Sequence, residues 1–455
     1  MTDELPGIPE ARPQSISPLT ARRLALFPDT TQIAIRKSDE LLSIAGCYLD
    51  ELADFYGTPL YLYDQATLDS AVLSYRQALA TYPALTGITY AGKAYLCKAV
   101  AQWAQQKGLK VDCTGGGELA IAIAARVSKE HILVHGVNKT QADLDAALAH
   151  AGIIVVDHLS ELKRLIEMAS QSTEPIPEIW LRFQPGVAVE THNFLQTGQA
   201  ESKFGMKREE VLEAARICQE QHLPLKGLHF HLGSNFREAT SIRFALSQSL
   251  DLIEAIDRKG EWTLCPGGGL AVAYHEDDLP QPSITSFIES IVEALINGCR
   301  RRRLPLPRLQ IEPGRSLIAR AGVALYRLGA IKRSEQRTWL LLDGGLADNP
   351  RHALYGARYS ALPVWLPNRL PTSQVWMAGP YCESGDILIE ALPFAEVQEG
   401  ELIAIPVSGA YHLSMASNYN GACRPAVLWL KDSKAQLIQR RETPEDLLRR
   451  DIGLT

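Results

Sequence analysis

The stretch Tyr90-Ala91-Gly92-Lys93-Ala94 decides how the rest of this sequence is interpreted. It ends an apolar run from Leu85 to Tyr90, which predicts a strand that leaves a turn at Gly87. A lysine directly after such a strand lies at the mouth of a core, where burial can lower its pKa and free its amine for a carbonyl. Taken alone, Lys93 is better explained as a surface lysine, so a functional interpretation depends on the residues at the ends of the other strands.

Strand-like apolar runs recur along the next 220 residues or so, at a spacing typical of alternating strands and helices. They cover residues 88–91, 110–113, 132–135, 153–156, 179–183, 227–230, 263–265 and 309–312. Helical patterns lie between most of them, as at residues 96–106, 118–125, 141–149, 160–170 and 208–221. Eight such units in a row predict a (β/α)8 TIM barrel, in which the chemistry lies at the carboxyl ends of the strands.

After Arg320 the pattern changes to short alternating segments with Gly and Pro in the turns, at 323–328, 338–343, 374–378, 402–407 and 426–430. A helix is expected only at 443–450. This pattern predicts a C-terminal antiparallel β domain, a small barrel or a sandwich. The predicted domains are an N-terminal extension, partly ordered, at 1–45, the barrel at 46–318 and the β domain at 319–455. The first residues of the barrel range could pack with the β domain.

The composition is that of a globular protein, with 46% apolar and 22% charged residues in a chain of 455. The net charge of -6 gives no reason to expect nucleic acid or an anionic membrane as partner. No run approaches the roughly 20 apolar residues of a membrane span. The eight cysteines are scattered without a C-x-x-C pair, which argues against a disulfide framework or a zinc site and favours a reducing cytoplasm.

Two histidines lie at the end of the sixth predicted strand, in Gly227-Leu228-His229-Phe230-His231-Leu232-Gly233-Ser234. His229 and His231 alternate with apolar residues and are therefore expected on one face. They could be satisfied core histidines or metal ligands, but no carboxylate or cysteine stands nearby in sequence to complete a metal site. An imidazole can instead stack on an aromatic ring, with Ser234 as a hydroxyl donor to a phosphate.

The last two predicted strands end in Pro266-Gly267-Gly268-Gly269 and Glu312-Pro313-Gly314-Arg315-Ser316. The glycines could form a flexible loop, but at the end of barrel strand seven their N–H groups can close on a phosphate. Glu312 could form a salt bridge with Arg315, or meet a ring nitrogen that becomes protonated. A lysine for an aldehyde, glycines for a phosphate, an imidazole for stacking and a carboxylate for a pyridine nitrogen together predict a pyridoxal 5'-phosphate site.

With these residues assembled, the chain resembles the fold-type III, alanine-racemase-like decarboxylases from about Tyr48 to Leu430, most closely the branch that acts on diaminopimelate. The resemblance is carried by ten blocks in the family's order: Tyr90-Ala91-Gly92-Lys93-Ala94, Gly115-Gly116-Gly117-Glu118-Leu119, His135-Gly136-Val137-Asn138-Lys139, Ser202-Lys203-Phe204-Gly205, His231-Leu232-Gly233-Ser234, Gly267-Gly268-Gly269, Glu312-Pro313-Gly314-Arg315, Asp343-Gly344-Gly345, Cys382-Glu383-Ser384-Gly385-Asp386 and Gly409-Ala410-Tyr411. Two departures are Cys265-Pro266, where the family commonly has an acidic residue, and a longer N-terminal extension.

The resemblance implies a role for each matched residue. Lys93 would hold the cofactor through its amine, and His231 would stack on the ring. The remaining cofactor contacts would come from Ser234, Gly267, Gly268, Gly269, Glu312, Pro313, Gly314, Arg315 and Tyr411. The substrate would be bound by Arg315, Arg351, Tyr355, Glu383 and Tyr411, with the arginines and Tyr355 on its distal carboxylate and Glu383 on its distal ammonium. Cys382 would protonate the carbanion left when carbon dioxide departs.

The resemblance further implies a homodimer, in which Cys382 and Glu383 reach the site of the partner subunit, and decarboxylation of meso-2,6-diaminopimelate at its D centre to give L-lysine. Related decarboxylases act on ornithine, lysine, carboxynorspermidine or a carrier-bound glutamyl group. Arg351 and Tyr355 favour a substrate with a second carboxylate. A racemase would need a second base facing Lys93, and a regulatory relative without catalysis would have no use for intact Lys93, Glu312 and Cys382. A resident metal is not expected.

Overall fold

The computed structural model describes residues 16–37, 39–170, 175–186, 202–256 and 260–454. The chain divides into two compact units. The barrel unit contains the described residues of Ala71–Val272 and Pro282–Leu317. The sheet unit contains those up to Ser70, the segment Ala273–Gln281 and those from Ile318 onward. The predicted domain ranges are each continuous in sequence, whereas both of these units combine separate segments. The predicted ranges remain a prediction.

The strands of the barrel unit pair in parallel and close on themselves in chain order. Its strands, as far as the chain is described, are Thr86–Ala91, Lys110–Cys113, Ile132–Val134, Ile153–Val156, Glu178–Arg182, Leu225–His229, Thr263–Cys265 and Arg308–Ile311. The accompanying helices are Gln65–Leu79, Lys98–Gln106, Gly116–Ala124, Gln141–His150, Leu159–Ala169, Arg208–Glu220, Thr240–Ile256, Ile284–Arg302 and Arg315–Ile318.

Apolar runs form these strands because both faces of a parallel barrel are covered. Every residue of Ile153–Val156 is buried, and its alternate members Ile153 and Val155 join Trp180 and Cys265 in an apolar cluster. The predicted (β/α)8 barrel is therefore confirmed. Three strands have the predicted bounds, and the bounds of the other five differ by one or two residues.

The sheet unit is built on a branched sheet of mostly antiparallel strands, as predicted. Along the sheet the order is Ile387–Phe394, Ser373–Ala378, Thr338–Leu342, Gly322–Arg333, Leu60–Asp64, Ala426–Lys431 and Lys434–Gln439, with Leu402–Ile405 pairing to Gly322–Arg333 and to Leu362–Pro363. The small sheet Gln32–Arg36, Asp39–Ile44 and Cys47–Tyr48 and the helices Pro18–Leu24, Leu49–Tyr56, Arg351–Tyr355 and Pro444–Leu448 complete it.

Several features of this unit differ from the sequence prediction. Thr338–Leu342 pairs in parallel with Ser373–Ala378, and Ala426–Lys431 pairs in parallel with Leu60–Asp64. The strands Ile387–Phe394 and Lys434–Gln439 were missed because their apolar residues do not alternate regularly. The helix expected at 443–450 covers only Pro444–Leu448.

The N-terminal extension is ordered where the structure describes it. It contains the helix Pro18–Leu24 and two strands, and Leu26 and Phe27 are buried. Residues 1–15 of this predicted segment lie outside the described residues. Throughout the part of the chain that is described, no helix combines the length and apolar character needed to cross a bilayer.

Strand alternation gives the sheet unit two distinct faces. Leu60 and Leu62 pack into an apolar core together with Val323 and Leu325 of the neighbouring strand. The intervening Tyr61 side chain therefore points to the opposite face, where it is also fully buried. A buried tyrosine needs a partner for its hydroxyl, so this second face must supply polar groups.

Candidate active site

Lys93 lies in a single helical turn, Gly92–Ala94, directly after the first barrel strand. Gly92 is required there because a Cβ atom would lie 2.6 Å from the carbonyl oxygen of Asp112 on the next strand. The Lys93 side chain itself is exposed rather than buried at the edge of the core. Its charge still acts on the barrel mouth, since it lowers the pKa of His231 together with burial, which is the larger effect.

Glu312 follows the eighth barrel strand and is buried, with its Oε2 2.9 Å from Nε2 of His229. Burial alone raises the pKa of this carboxyl, but His229, the neighbouring Cys265 and the charge of Lys93 outweigh burial and hold it below its usual value. The other oxygen, Oε1, is buried without a hydrogen-bond partner among the described residues. An ionised carboxylate with one unpaired oxygen fits a protonated ring nitrogen.

The glycine triplet packs between His231 and Glu312. Gly267 and Gly269 have left-handed φ angles of 73° and 108°, and a Cβ on Gly268 would lie 2.1 Å from the carbonyl oxygen of Glu312. The Gly268 N–H points at Nδ1 of His231 over 3.4 Å. Only glycine fits this cradle, and its backbone can approach an anion closely. Burial lowers the pKa of His231, so its imidazole is neutral and suited to stacking on a ring.

Arg315 and Ser234 lie beside each other at the same end of the barrel. The Arg315 Nε and Nη2 atoms lie 3.2 and 3.0 Å from the Ser234 hydroxyl. Pro313 and Gly314 hold Arg315 there, because the Pro313 carbonyl accepts from Ala91 N–H and Gly314 packs against the Ala91 side chain. A hydroxyl next to a guanidinium suits recognition of phosphate or carboxylate.

The barrel interior also contains titratable groups for which the sequence suggested no role. The rings of His135 and His229 meet edge to face with centroids 4.5 Å apart, and Asp112 Oδ1 lies 3.8 Å from His135 Nδ1. Arg182 Nη1 donates to Asp157 Oδ1 over 2.8 Å. Arg182 ends a barrel strand, His135 follows one directly, and Asp112 is the last residue but one of its strand. A position at the carboxyl end of a strand was the available signal for finding them.

One argument from sequence needs correction. The lack of a nearby carboxylate in sequence argues against a metal at His229, yet the fold brings both Glu312 and His135 to it. The ligand atoms of these three buried residues lie within 4.8 Å of one another. Sequence distance could not reveal this, because the three side chains come from the third, sixth and eighth strands of the barrel.

Apart from Arg315, the predicted substrate-binding residues lie in the sheet unit. Arg351 is the first residue of the helix Arg351–Tyr355 and is 6% exposed. Its guanidinium lies 4.3 Å from the ring centre of Tyr274, and Tyr355 is half-buried one turn further on. A buried guanidinium stacked on an aromatic ring has a defined orientation, which a bidentate carboxylate contact requires.

Cys382 and Glu383 occupy an exposed loop that Asp386 holds in place. The Asp386 carboxylate accepts from the Tyr381 and Leu346 N–H groups, while Cys382 N donates to Asn420 Oδ1 over 3.0 Å. Six of the eight cysteines are buried and Cys423 is half-buried, whereas Cys382 is exposed. An exposed thiol beside a carboxylate is available to a reacting group and has no packing role here.

Tyr411 lies in a strained segment of the same unit. Its φ angle is 61°, which is unusual for a residue with a Cβ. Gly409, two residues earlier, passes so close to Ile318 that a Cβ would lie 2.0 Å from the Ile318 carbonyl oxygen. Such strain is often found where a side chain must be presented to a ligand. The half-buried Tyr411 is thus held by backbone packing.

The residues of the barrel unit fit pyridoxal phosphate on three grounds: an exposed amine on Lys93, a glycine cradle with no room for Cβ atoms, and the unpaired Oε1 of Glu312. Residues 66–319 match the family described as "Pyridoxal-dependent decarboxylase, pyridoxal binding domain". Fold and site therefore define a pyridoxal-dependent decarboxylase of the barrel type, with pyridoxal phosphate as its cofactor.

The likeness extends through both units. The diaminopimelate decarboxylase of Actinosynnema pretiosum subsp. auranticum is 40% identical over 437 residues, covering 95% of this chain and 96% of its own length. That of Bacillus subtilis is 37% identical, covering 90% and 95%. A crystal structure of the M. jannaschii diaminopimelate decarboxylase with L-lysine has a TM-score of 0.85 at 28% identity and covers 94% and 98%. This chain belongs to the diaminopimelate decarboxylase family, which confirms the predicted family, enzyme class and cofactor.

Replacing Glu312 by Gln is expected to leave the cofactor bound but to slow decarboxylation by roughly one to three orders of magnitude. The neutral amide cannot stabilise a protonated ring nitrogen at the position of Oε1. Cofactor content by absorbance and turnover by carbon dioxide release measure the two effects separately. The matched control is Glu209→Gln, the same substitution at an exposed glutamate, and it should change neither cofactor content nor turnover. Gln310→Glu is not a suitable control, because Gln310 bonds Thr89 inside the barrel. A wild-type rate for Glu312→Gln would contradict the assigned contact.

Proposed function

We propose that this enzyme decarboxylates meso-2,6-diaminopimelate at its D centre and releases L-lysine and carbon dioxide, the last step of lysine biosynthesis. The observation that carries the proposal is the 40% identity to the Actinosynnema pretiosum enzyme over 95% of the chain. The predicted site residues belong to both units, and a similarity of this extent includes all of them. The presence of L-lysine in the M. jannaschii structure is in keeping with lysine as the product.

The chemistry is divided between cofactor and protein. Pyridoxal phosphate, when bound, supplies a ring that takes up the electron pair released as carbon dioxide leaves. In this proposal Lys93 Nζ would hold the cofactor covalently, and Glu312 Oε1 would accept a hydrogen bond from its protonated ring nitrogen. Ser234, the glycine N–H groups and Tyr411 bind the phosphate, and the neutral His231 packs on the ring.

The protein residues also select and orient the substrate. Arg315, Arg351 and Tyr355 bind the distal carboxylate, because guanidinium groups grip a carboxylate in paired hydrogen bonds. Glu383 accepts from the distal ammonium and so discriminates between the two ends of the molecule. Cys382 Sγ donates a proton to the carbon that has lost its carboxylate. The thiolate left behind is reprotonated from solvent.

Assembly and location belong to the same proposal. We infer a homodimer in which Cys382 and Glu383 serve the site of the partner, and a cytoplasmic location. Eight free cysteines suit a reducing compartment. The predicted domain ranges 1–45, 46–318 and 319–455 are retained as the order of segments along the chain.

The proposal is tested by carbon dioxide release from meso-diaminopimelate compared with the LL isomer, ornithine and lysine. The meso compound is expected to turn over at a rate far above the other three, because only it offers a D centre together with a distal L centre. Faster release from ornithine or lysine would replace the proposal with a diamine-forming activity. Cofactor binding without release from any substrate would indicate a non-catalytic relative.

Arg351→Ala is expected to lower kcat/KM for meso-diaminopimelate mainly through KM. A lost charged bidentate contact costs on the order of 2–5 kcal/mol. The matched control is Arg358→Ala, an exposed arginine of the same unit that bonds Asp277 and leaves Arg351 in place. Steady-state kinetics of both variants give the comparison. An unchanged specificity constant for Arg351→Ala would move the distal-carboxylate contact to another residue.

A further inference from the structure

Arg351 is one end of a buried chain of polar side chains on the second face of the sheet unit. We call this chain the Arg351 network. Its five members are all at most 6% exposed, and they are Arg351, Tyr359, His412, Tyr61 and Asp348. They come from three separate parts of the sequence. Tyr326 lies beside this chain, because alternation along two paired strands places it on the same face as Tyr61.

The contacts are continuous from one end to the other. Arg351 Nη1 donates to the Tyr359 hydroxyl, and that hydroxyl lies 2.8 Å from His412 Nε2. His412 Nδ1 lies 3.3 Å from the Tyr61 hydroxyl, which donates to Asp348 Oδ2 over 2.9 Å. A cation is thereby connected to a carboxylate through three side chains, Tyr359, His412 and Tyr61.

The chemistry of the two ends sets the direction of every hydrogen bond between them. A guanidinium only donates, so the Tyr359 oxygen accepts from Arg351 and its O–H is left for His412 Nε2. Nδ1 of His412 then carries the ring proton and donates to Tyr61, whose O–H is left for Asp348. A protonated His412 would reverse the bond to Tyr359 and place a second cation near Arg351.

Asp348 anchors this direction because it also accepts from groups outside the chain. Its Oδ2 accepts from Tyr326 and its Oδ1 accepts from Gly345 N–H over 2.9 Å. Burial raises the pKa of Asp348 to about 6, against the hydrogen bonds from Tyr326, Gly345 and Tyr61 that lower it. The group is thus ionised at neutral pH, and an ionised carboxylate only accepts.

We propose that Asp348, Tyr61, His412 and Tyr359 are positioning residues, which hold the Arg351 guanidinium in the orientation that selects a substrate with a distal carboxylate. The proposal rests on the function proposed above and adds to it the residues that determine specificity. The mechanism is orientational: with one Arg351 N–H held by Tyr359 and the guanidinium stacked on Tyr274, its remaining donors have a fixed direction.

The test uses conservative changes that remove one hydroxyl and keep the ring. Tyr359→Phe removes the direct acceptor for Arg351, and Tyr61→Phe breaks the chain two side chains further away. Each is expected to raise KM for meso-diaminopimelate about tenfold, the size of a lost hydrogen bond to a charged group, with kcat little changed. The double variant should raise KM no further than either change alone, because both interrupt one chain.

Binding of two inhibitors separates orientation of Arg351 from general damage. L-Lysine retains the carboxylate that Arg351 would bind, whereas 1,5-diaminopentane has none. The inhibition constant of L-lysine should rise about tenfold in both variants, by the same lost bond, and that of the diamine should stay unchanged. Equal weakening of both inhibitors would overturn the proposal.

Two further hydroxyl deletions serve as matched controls. Tyr326→Phe removes an equally buried donor to the same carboxylate but leaves the chain from Asp348 to Arg351 intact, and Tyr82→Phe removes a buried bond to Pro307 in the barrel unit. Neither should raise KM. A rise for Tyr326→Phe as large as that for Tyr61→Phe would overturn the proposal, as would an unchanged KM for Tyr61→Phe or multiplicative effects in the double variant.

Failures of the two proposals are distinguishable. If wild-type enzyme does not turn over meso-diaminopimelate, the proposed function fails. If it does, and Arg351→Ala raises KM while Tyr61→Phe does not, only the positioning proposal fails. Should Tyr61→Phe not fold, Asp348→Asn removes one of the two acceptor oxygens at the same end of the chain, and a normal KM in that variant would likewise contradict the proposal.

Discussion

Lys93→Ala is expected to abolish lysine formation from meso-diaminopimelate. In the proposed function the cofactor is held through Lys93 Nζ, and an alanine offers no amine for the aldehyde of pyridoxal phosphate. The exposed position of Lys93, on a turn that only Gly92 permits so close to the next strand, gives its amine access to a ligand. Turnover should fall to background, and the visible absorbance of covalently held cofactor should disappear.

Two comparisons make this result specific to Lys93. Lys98→Ala removes an exposed lysine at the start of the next helix and should leave both turnover and absorbance at wild-type values. Circular dichroism and the oligomeric state should be the same for both variants and the wild type. Substantial lysine formation by purified Lys93→Ala enzyme would exclude the proposed role of this residue.

Mixing two inactive variants, Lys93→Ala and Cys382→Ala, is expected to restore activity. If each site takes Lys93 from one chain and Cys382 from the other, a heterodimer has one site with both lesions and one with none. Random pairing makes half of the dimers heterodimers, so roughly a quarter of the wild-type activity should return. Co-expression with two different affinity tags allows the heterodimer to be isolated, and its activity should be about half that of wild type.

A second mixture is the matched control. Cys382→Ala and Glu383→Ala both change the exposed loop of the sheet unit, so every heterodimer site retains one lesion. That mixture should do no better than the average of its two components. If isolated Lys93→Ala/Cys382→Ala heterodimers are inactive, the two residues act from the same chain. That result would remove the shared site and leave the decarboxylase assignment unaffected.

The barrel could be predicted from sequence because its signals are local. A strand such as Ile153–Val156 is a continuous apolar run between helical patterns, and both periodicities are visible within a few residues. Lys93, the glycine triplet and Glu312 could be found for the same reason. Each follows a strand directly, and the fold class alone places the carboxyl ends of all eight strands at one mouth.

The partners of those residues could not be predicted, because they depend on which strands become neighbours across the barrel. Glu312 was expected to meet Arg315 or a ring nitrogen, yet its Oε2 lies beside His229, 83 positions earlier in the chain. Arg315 instead meets Ser234. A sequence pattern states which side chains end a strand, whereas distances between them follow from strand order, register and packing.

The order of the barrel strands, the fold class, the cofactor and the family can all be inferred from the amino-acid sequence, since these depend on periodicity, on glycine positions and on short motifs. Three-dimensional packing was needed to show that Leu60–Asp64 joins the sheet unit and that Tyr61 meets His412, 351 positions away. The physical reason is that a buried hydroxyl must find a partner wherever packing brings one, and no local rule states where that will be.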